Sequence, residues 1–139
     1  MRIMGIDYGD SRVGIALSDP LEITAQGHTT LPNKVYVKML DAVVKIVSEY
    51  NVERIVLGMP KNLNGTLGDR VEVTNKFYDD LKEAMPQMDI VLWDERLTTV
   101  QAAGILNVTN TRGKDRKGVI DTVAAAIILQ SYLDYLKGE

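Results

Sequence analysis

Apolar residues along the chain follow two kinds of spacing, short runs that predict strands and longer patterns at 3.6-residue spacing that predict helices. Arg2–Asp7 and Arg12–Ser18 are mostly apolar, and the short turn-like segment between them predicts a hairpin. The polar stretch 107–118 is expected to be a mobile loop. In chain order, the pattern predicts strands at 2–7, 12–18, 24–31, 54–58 and 89–93, and helices at about 36–47, 66–84, 98–106 and 119–136.

The order of these elements, βββαβαβαα, predicts an α/β fold. Two hairpin-linked strands followed by β–α alternation indicate a mixed five-stranded sheet flanked by helices. This is the arrangement of the ribonuclease H-like fold, which hosts many functions, so the fold alone does not define an activity. With 139 residues, the chain is expected to form a single domain, 1–139.

Three acidic residues stand at the junctions between these elements. Asp7 ends the first strand, Glu95 follows the fifth strand, and Asp121 is expected in the first turn of the last helix. If the first and fifth strands are neighbours, Asp7 and Glu95 meet at one sheet edge, and the last helix delivers Asp121. Mg²⁺ and Mn²⁺ prefer such oxygen ligands. Taken singly, each acid also has an ordinary structural interpretation as a turn former, a helix-dipole partner or a solvated surface group.

Several polar and basic groups could hold a phosphate near these acids. The loop before the second helix offers backbone N–H groups and a cation, and Gly9 leaves room for a phosphate to approach the backbone. A capped loop with a solvated lysine would have the same sequence. The dense basic run at 112–117 could grip a nucleic-acid backbone or simply be solvated. The candidate contacts are Gly9, Arg12, Lys61, Asn62, Asn64, Thr66, Arg96, Arg116 and Lys117.

Composition narrows the class of protein further. The chain is 45% hydrophobic and 25% charged, as in ordinary soluble domains, and no apolar run is long enough to span a bilayer. Without cysteine, disulfides and thiolate metal sites are excluded, and a cytoplasmic location without membrane partners fits. The net charge of −3 gives no global attraction for nucleic acid. The single histidine, His28, is predicted to be structural.

Four separated motifs together resemble the YqgF family, also called RuvX, over nearly the whole chain. The resemblance implies a ribonuclease H-like fold, a bacterial cytoplasmic location and a hydrolase that cuts nucleic-acid phosphodiesters. It also implies a role in maturing the 5′ end of pre-16S rRNA during ribosome biogenesis, with Asp7, Glu95 and Asp121 as catalytic acids that hold Mg²⁺ or Mn²⁺. The matching motifs are Gly5–Gly9 through Gly14–Asp19, then Gly58–Thr66, then Asp94–Thr99, and then Asp121 with Ala124–Leu133.

Three other functions stay open on the sequence. The first is a Holliday-junction resolvase acting on DNA, which would need a symmetric dimer with two sites. The second is a non-catalytic module that binds RNA or a ribosome precursor. The third is a nucleotide-binding enzyme, because Asp7-x-Gly9 followed by Gly14 also resembles the phosphate motif of actin-like and sugar-kinase proteins. Those proteins need two such domains, and this chain has length for one.

Overall fold

A computed structural model describes residues 2–59, 69–94 and 115–138, with the side chains of 69 and 115–121 excepted. Its elements match the predicted order, while the predicted helix at 98–106 lies outside the described residues. The strands are β1 (Arg2–Tyr8), β2 (Arg12–Ser18), β3 (Ala25–Pro32), β4 (Val52–Met59) and β5 (Asp89–Asp94). The helices are α1 (Tyr36–Glu49), α2 (Asp69–Ala84) and α3 (Asp115–Leu136).

The five strands form one mixed sheet in the order β3-β2-β1-β4-β5. The hairpins make β1–β2 and β2–β3 antiparallel, whereas β1–β4 and β4–β5 are parallel because α1 and α2 return the chain to the same end. The predicted α/β fold with a mixed five-stranded sheet is confirmed.

The expectation that the first and fifth strands are neighbours is wrong, because β4 lies between them. The hairpin gives one edge of β1 to β2, and β4 takes the other edge. No edge of β1 is left for β5, which pairs with β4 instead. Two strand spacings, roughly 10 Å, therefore separate β1 from β5.

The alternation of side chains along β1 divides the core into two layers. Met4, Ile6 and Tyr8 are buried on the face covered by α1 and α2. Ile3 is buried on the opposite face, among residues of α3 such as Leu129. Asp7 follows the same alternation as Ile3 and is only half-buried, so it lies on the α3 face where the strand ends.

Several element boundaries differ from the prediction by one to four residues, and two of these differences have a clear physical reason. The last helix begins at Asp115, not near Val119, because a helix tolerates one interior glycine, here Gly118, at a cost of about 1 kcal/mol. Asp121 is therefore in the second helical turn, and part of the expected loop is helical. β3 continues through Pro32, which an edge strand tolerates.

No helix among the described residues is long and apolar enough to cross a membrane.

Candidate active site

Asp7 lies at the carboxyl end of a strand that is paired on both sides. It is opposite Gly14 of β2, and the preceding Ile6 pairs with Leu57 of β4. Its neighbours Ile6 and Tyr8 are 0% and 6% exposed, whereas Asp7 itself is half-buried. A carboxylate in such a place is partly desolvated, and it gains from any cation or donor that approaches the sheet end.

Helix α3 passes unusually close to β1 just before Asp7. A Cβ added to Gly5 would lie 2.7 Å from the Cβ of Leu129 and 2.8 Å from the carbonyl oxygen of Ala125. Only glycine fits there, because real Cβ contacts are not that short. Asp121 precedes Ala125 by four residues, about 6 Å along the helix, and Asp7 follows Gly5 by two, about 6.6 Å along the strand.

The third predicted acid, Glu95, lies just outside the described residues. The residue before it, Asp94, ends β5 and pairs with Met59, the last residue of β4. Since β1, β4 and β5 are parallel, the chain leaves β5 at the sheet end that holds Asp7. Asp94 and Asp7 lie at the same end of the sheet but are separated by the width of β4.

The turn between β1 and β2 requires glycine at position 9 for a reason that the sequence does not reveal. A Cβ on Gly9 would lie 2.5 Å from the carbonyl oxygen of Arg12. The chain's own turn therefore occupies the space beside this glycine, and contact of Gly9 with a phosphate stays a prediction. Arg12 is exposed and begins β2 at the same sheet end.

Two residues that sequence reasoning missed hold this turn. Arg70 of α2 donates from Nη2 to the carbonyl oxygen of Tyr8 at 2.7 Å, and its Nη1 lies 3.4 Å from a carboxylate oxygen of Asp10. Asn33, between β3 and α1, donates from Nδ2 to the carbonyl oxygen of Gly9 at 2.9 Å. Their partners are 62 and 24 residues away in sequence, so no local pattern could have indicated these contacts.

The other predicted binding residues lie largely where the structure gives no side-chain geometry. The loop that follows β4 starts from the same sheet end as Asp7, because β4 is parallel to β1. Arg116, Lys117 and Asp121 are placed in α3 by their backbone alone. Those outside the described residues are Lys61, Asn62, Asn64, Thr66, Glu95 and Arg96.

Among the described side chains, no group of three or more histidines, cysteines or carboxylates is arranged to hold a metal. Asp7 belongs to these described side chains, whereas Glu95 and the side chain of Asp121 do not. His28 is exposed on the edge strand, and its ring packs edge-on against Tyr50 with centroids 4.8 Å apart. Its neighbour Gly27 faces α3 through Thr122, so His28 points from the other face of the sheet than Asp7.

A polar cluster joins α1 to α2 beneath the β1–β2 turn. The Tyr36 hydroxyl donates to Oδ2 of Asp80 at 2.6 Å, and the Lys76 ammonium lies 2.9 Å from the same oxygen. The Tyr36 hydrogen bond, reinforced by Lys76, lowers the pKa of Asp80. Burial, and then the hydrogen bond to Asp80, raises the pKa of Tyr36. At neutral pH the Asp80 carboxylate therefore stays ionised and the Tyr36 hydroxyl stays protonated, and their hydrogen bond holds α2 against α1.

The sheet order and the placement of the three helices define the ribonuclease H-like class of fold. Solved structures agree: Thermus thermophilus RuvC, in complex with a Holliday junction substrate, has a TM-score of 0.60 at 12% identity, covering 97% of this chain and 96% of that chain. A yeast mitochondrial Holliday junction resolvase has a TM-score of 0.62 at 12% identity, covering 97% and 78%. At these identities the likeness concerns the fold.

The chain belongs to the RuvX family, whose description is "Holliday junction resolvase" and whose model matches residues 1–135. A relative from Halothermothrix orenii is 48% identical over 135 residues, 97% of this chain and 96% of the relative, and carries the name "Putative pre-16S rRNA nuclease". The family predicted from the four motifs is confirmed.

Proposed function

We propose that this protein is a divalent-metal-dependent nuclease that hydrolyses phosphodiesters in RNA and acts in 5′-end processing of pre-16S rRNA. The observation that carries the proposal is the contact of β1 with α3 at Gly5. From that contact, β1 advances to Asp7 and α3 runs back to Asp121 by nearly equal lengths, about 6 Å each. We expect these lengths to bring two acids from distant parts of the sequence toward the same end of the sheet.

Asp7, Glu95 and Asp121 would hold Mg²⁺ or Mn²⁺. The donor set fits, since these hard cations bind carboxylate oxygens and keep other positions for water and phosphate. The half-buried place of Asp7 at the end of an interior strand fits as well. When bound, the cation would stabilise the charge that develops on the phosphodiester during in-line displacement. The carboxylates of this chain would orient the cation and hold it against the scissile phosphate.

The candidate phosphate contacts surround the same end of the sheet. Arg12 begins β2 there, and the loop carrying Lys61 leaves β4 there. Arg116 and Lys117 belong to the first turn of α3, about one turn before Asp121. The proposed contacts on the sugar-phosphate backbone are Gly9, Arg12, Lys61, Asn62, Asn64, Thr66, Arg96, Arg116 and Lys117.

Among the candidate substrates, we favour pre-16S rRNA because a relative that is 48% identical bears that substrate in its name. A four-way DNA junction is the second candidate, because the family description names it. On the first assignment, the protein works in the cytoplasm as one domain in contact with a ribosome precursor. The third candidate function is that of a module that binds RNA or a ribosome precursor without catalysis.

The test is cleavage of a pre-16S rRNA 5′ fragment and of a four-way DNA junction by the full chain, with Mg²⁺, Mn²⁺ or EDTA. We expect metal-dependent cleavage of the RNA and at least about a 100-fold loss in Asp7→Asn, which keeps the shape of the side chain but removes its charge. Asp41→Asn is the matched control, since Asp41 is an exposed residue of α1 outside the proposed metal set.

Equal cleavage by the wild type and Asp7→Asn would remove the metal-site proposal. Preference for the junction would reassign the substrate to DNA. RNA binding without cleavage in either metal would favour the binding module.

A further inference from the structure

The peptide groups that join Tyr8 to Gly9 and Gly9 to Asp10 are both held from outside the strand. The carbonyl oxygen of Tyr8 accepts from Arg70 at 2.7 Å, and the carbonyl oxygen of Gly9 accepts from Asn33 at 2.9 Å. The backbone N–H of Asn33 also donates to the carbonyl oxygen of Ser11 at 2.9 Å. Side chains from two separate parts of the chain thus fix two consecutive peptide planes, beginning one residue after the candidate metal ligand.

Arg70 contacts the turn with two arms of its guanidinium. While Nη2 donates to the Tyr8 carbonyl, Nη1 lies 3.4 Å from the carboxylate of Asp10. A planar fork can serve both partners at once, which a lysine ammonium cannot do with the same geometry. The Arg70 side chain is 47% exposed, so the ion pair with Asp10 is screened and contributes little to global stability.

Asn33 adopts an orientation that leaves part of its own amide unsatisfied. Because the Gly9 carbonyl can only accept, the atom facing it must be Nδ2. The same Nδ2 lies 3.2 Å from the Tyr8 hydroxyl. Oδ1 is buried and has no hydrogen-bond partner within the described part of the chain. An unsatisfied buried acceptor is unfavourable, so this side chain's evident contribution is to anchor the turn.

We propose that Arg70 and Asn33 are positioning residues that clamp the β1–β2 turn and thereby aim the Asp7 carboxylate; this inference rests on the proposed nuclease function. The held Tyr8 carbonyl fixes the peptide that joins Tyr8 to Gly9, and so it fixes the end of the strand, one residue beyond Asp7, against which the Asp7 backbone is held. Partners that orient a metal ligand through its surroundings typically change metal affinity or activity by about 10–100-fold.

The first test is steady-state cleavage of the pre-16S rRNA fragment with Mn²⁺. Arg70→Gln and Arg70→Lys are expected to lower kcat by about 10–100-fold, with KM within about twofold of the wild type. Guanidinium ion added to Arg70→Ala is expected to restore part of kcat. Lys76→Gln is the matched control, because Lys76 is an exposed cation on the same helix that pairs with Asp80 and not with the turn. Asn33→Asp, which sets an oxygen against the Gly9 carbonyl, is expected to behave like Arg70→Gln.

A second readout does not depend on catalysis. Hydrogen exchange of the backbone amides at 9–11 is expected to be at least about tenfold faster in Arg70→Gln and Asn33→Asp than in the wild type, and unchanged in Lys76→Gln.

The outcomes separate the clamp from the nuclease function. If the wild type cleaves and the Arg70 variants keep kcat, the clamp is overturned while the function stands. A rise in KM alone would make Arg70 a substrate contact and also overturn the positioning role. If the wild type cleaves neither RNA nor junction, the proposed function fails. Faster exchange confined to the two clamp variants would then still support the clamp, and unchanged exchange would overturn it.

Discussion

The contact between β1 and α3 makes Gly5→Ala the most informative substitution in this protein. The new methyl would lie 2.7 Å from the Cβ of Leu129 and 2.8 Å from the Ala125 carbonyl oxygen. Carbon atoms pack best at about 3.5–4.0 Å, so α3 must move away by roughly 1 Å. One obstacle is backbone and the other a Cβ, so no change of rotamer relieves the clash. Overpacking of this kind costs about 1–3 kcal/mol.

The same displacement is expected to reduce activity more than stability. Moving α3 shifts Asp121 relative to Asp7, and a misplacement of about 1 Å can cost about 100-fold in rate. Adding Leu129→Ala should not rescue either property, because alanine keeps the Cβ that clashes. Gly27→Ala provides a graded comparison, since its nearest atoms are 2.9 Å and 3.1 Å away on Thr122 and β3 is an edge strand that can yield.

Urea denaturation followed by tryptophan fluorescence measures the stability change at the right place. Trp93 is the only tryptophan, its ring lies 5.4 Å from that of Tyr132 in α3, and its Nε1 donates to Ser131 at 3.2 Å. The cleavage assay on the folded variant measures the change in activity. If Gly5→Ala changed the unfolding free energy by less than about 0.5 kcal/mol and left cleavage intact, the argument that this contact positions the site would be refuted.

Two further predictions concern the layer beneath the β1–β2 turn. Phe77→Ala should destabilise the fold by about 3–5 kcal/mol, because this side chain is 0% exposed and stacks on Tyr8 at 4.4 Å; a loss below about 1 kcal/mol in urea denaturation would contradict the packing. Asp80→Asn should be less stable than the wild type at neutral pH. Because the folded pKa of Asp80 is lowered, its stabilisation is complete above the ordinary value of 3.8 and is lost as pH falls through the folded value. Unfolding midpoints from pH 7 to 2.5 should therefore converge below pH 3.8, and a gap that widens on acidification would reverse the sign of the argument.

The periodicity of the chain predicted the strands and most helix positions because their causes are local. A buried interior strand such as β4 reads as an apolar run, and the β1–β2 hairpin reads as two such runs with a turn between them. The predicted start of α3 was wrong because the glycine and charged residues at 115–118 also suit a loop. Packing of the apolar part of the helix on the sheet decides between loop and helix there.

The candidate site likewise contains residues that local sequence indicated and residues that only long-range contacts reveal. Sequence reasoning selected Asp7, Glu95 and Asp121 because each stands where a predicted element begins or ends, and the family motifs gave all three a catalytic role. It missed Arg70 and Asn33, whose role depends on distant backbone carbonyls. It also placed β5 beside β1, although only the competition of β2 and β4 for the two edges of β1 settles that order.

The sequence by itself determined which segments are strands and which are helices, their order and the family. These depend on the local spacing of apolar residues and on short motifs that can be recognised directly in the chain. The tertiary structure alone decided which strands are neighbours, why residues 5 and 9 must be glycine, and which side chains hold the turn after Asp7. Each of these is a contact between residues far apart in the chain, and its energy comes from close packing and from hydrogen bonds to the backbone that no local pattern encodes.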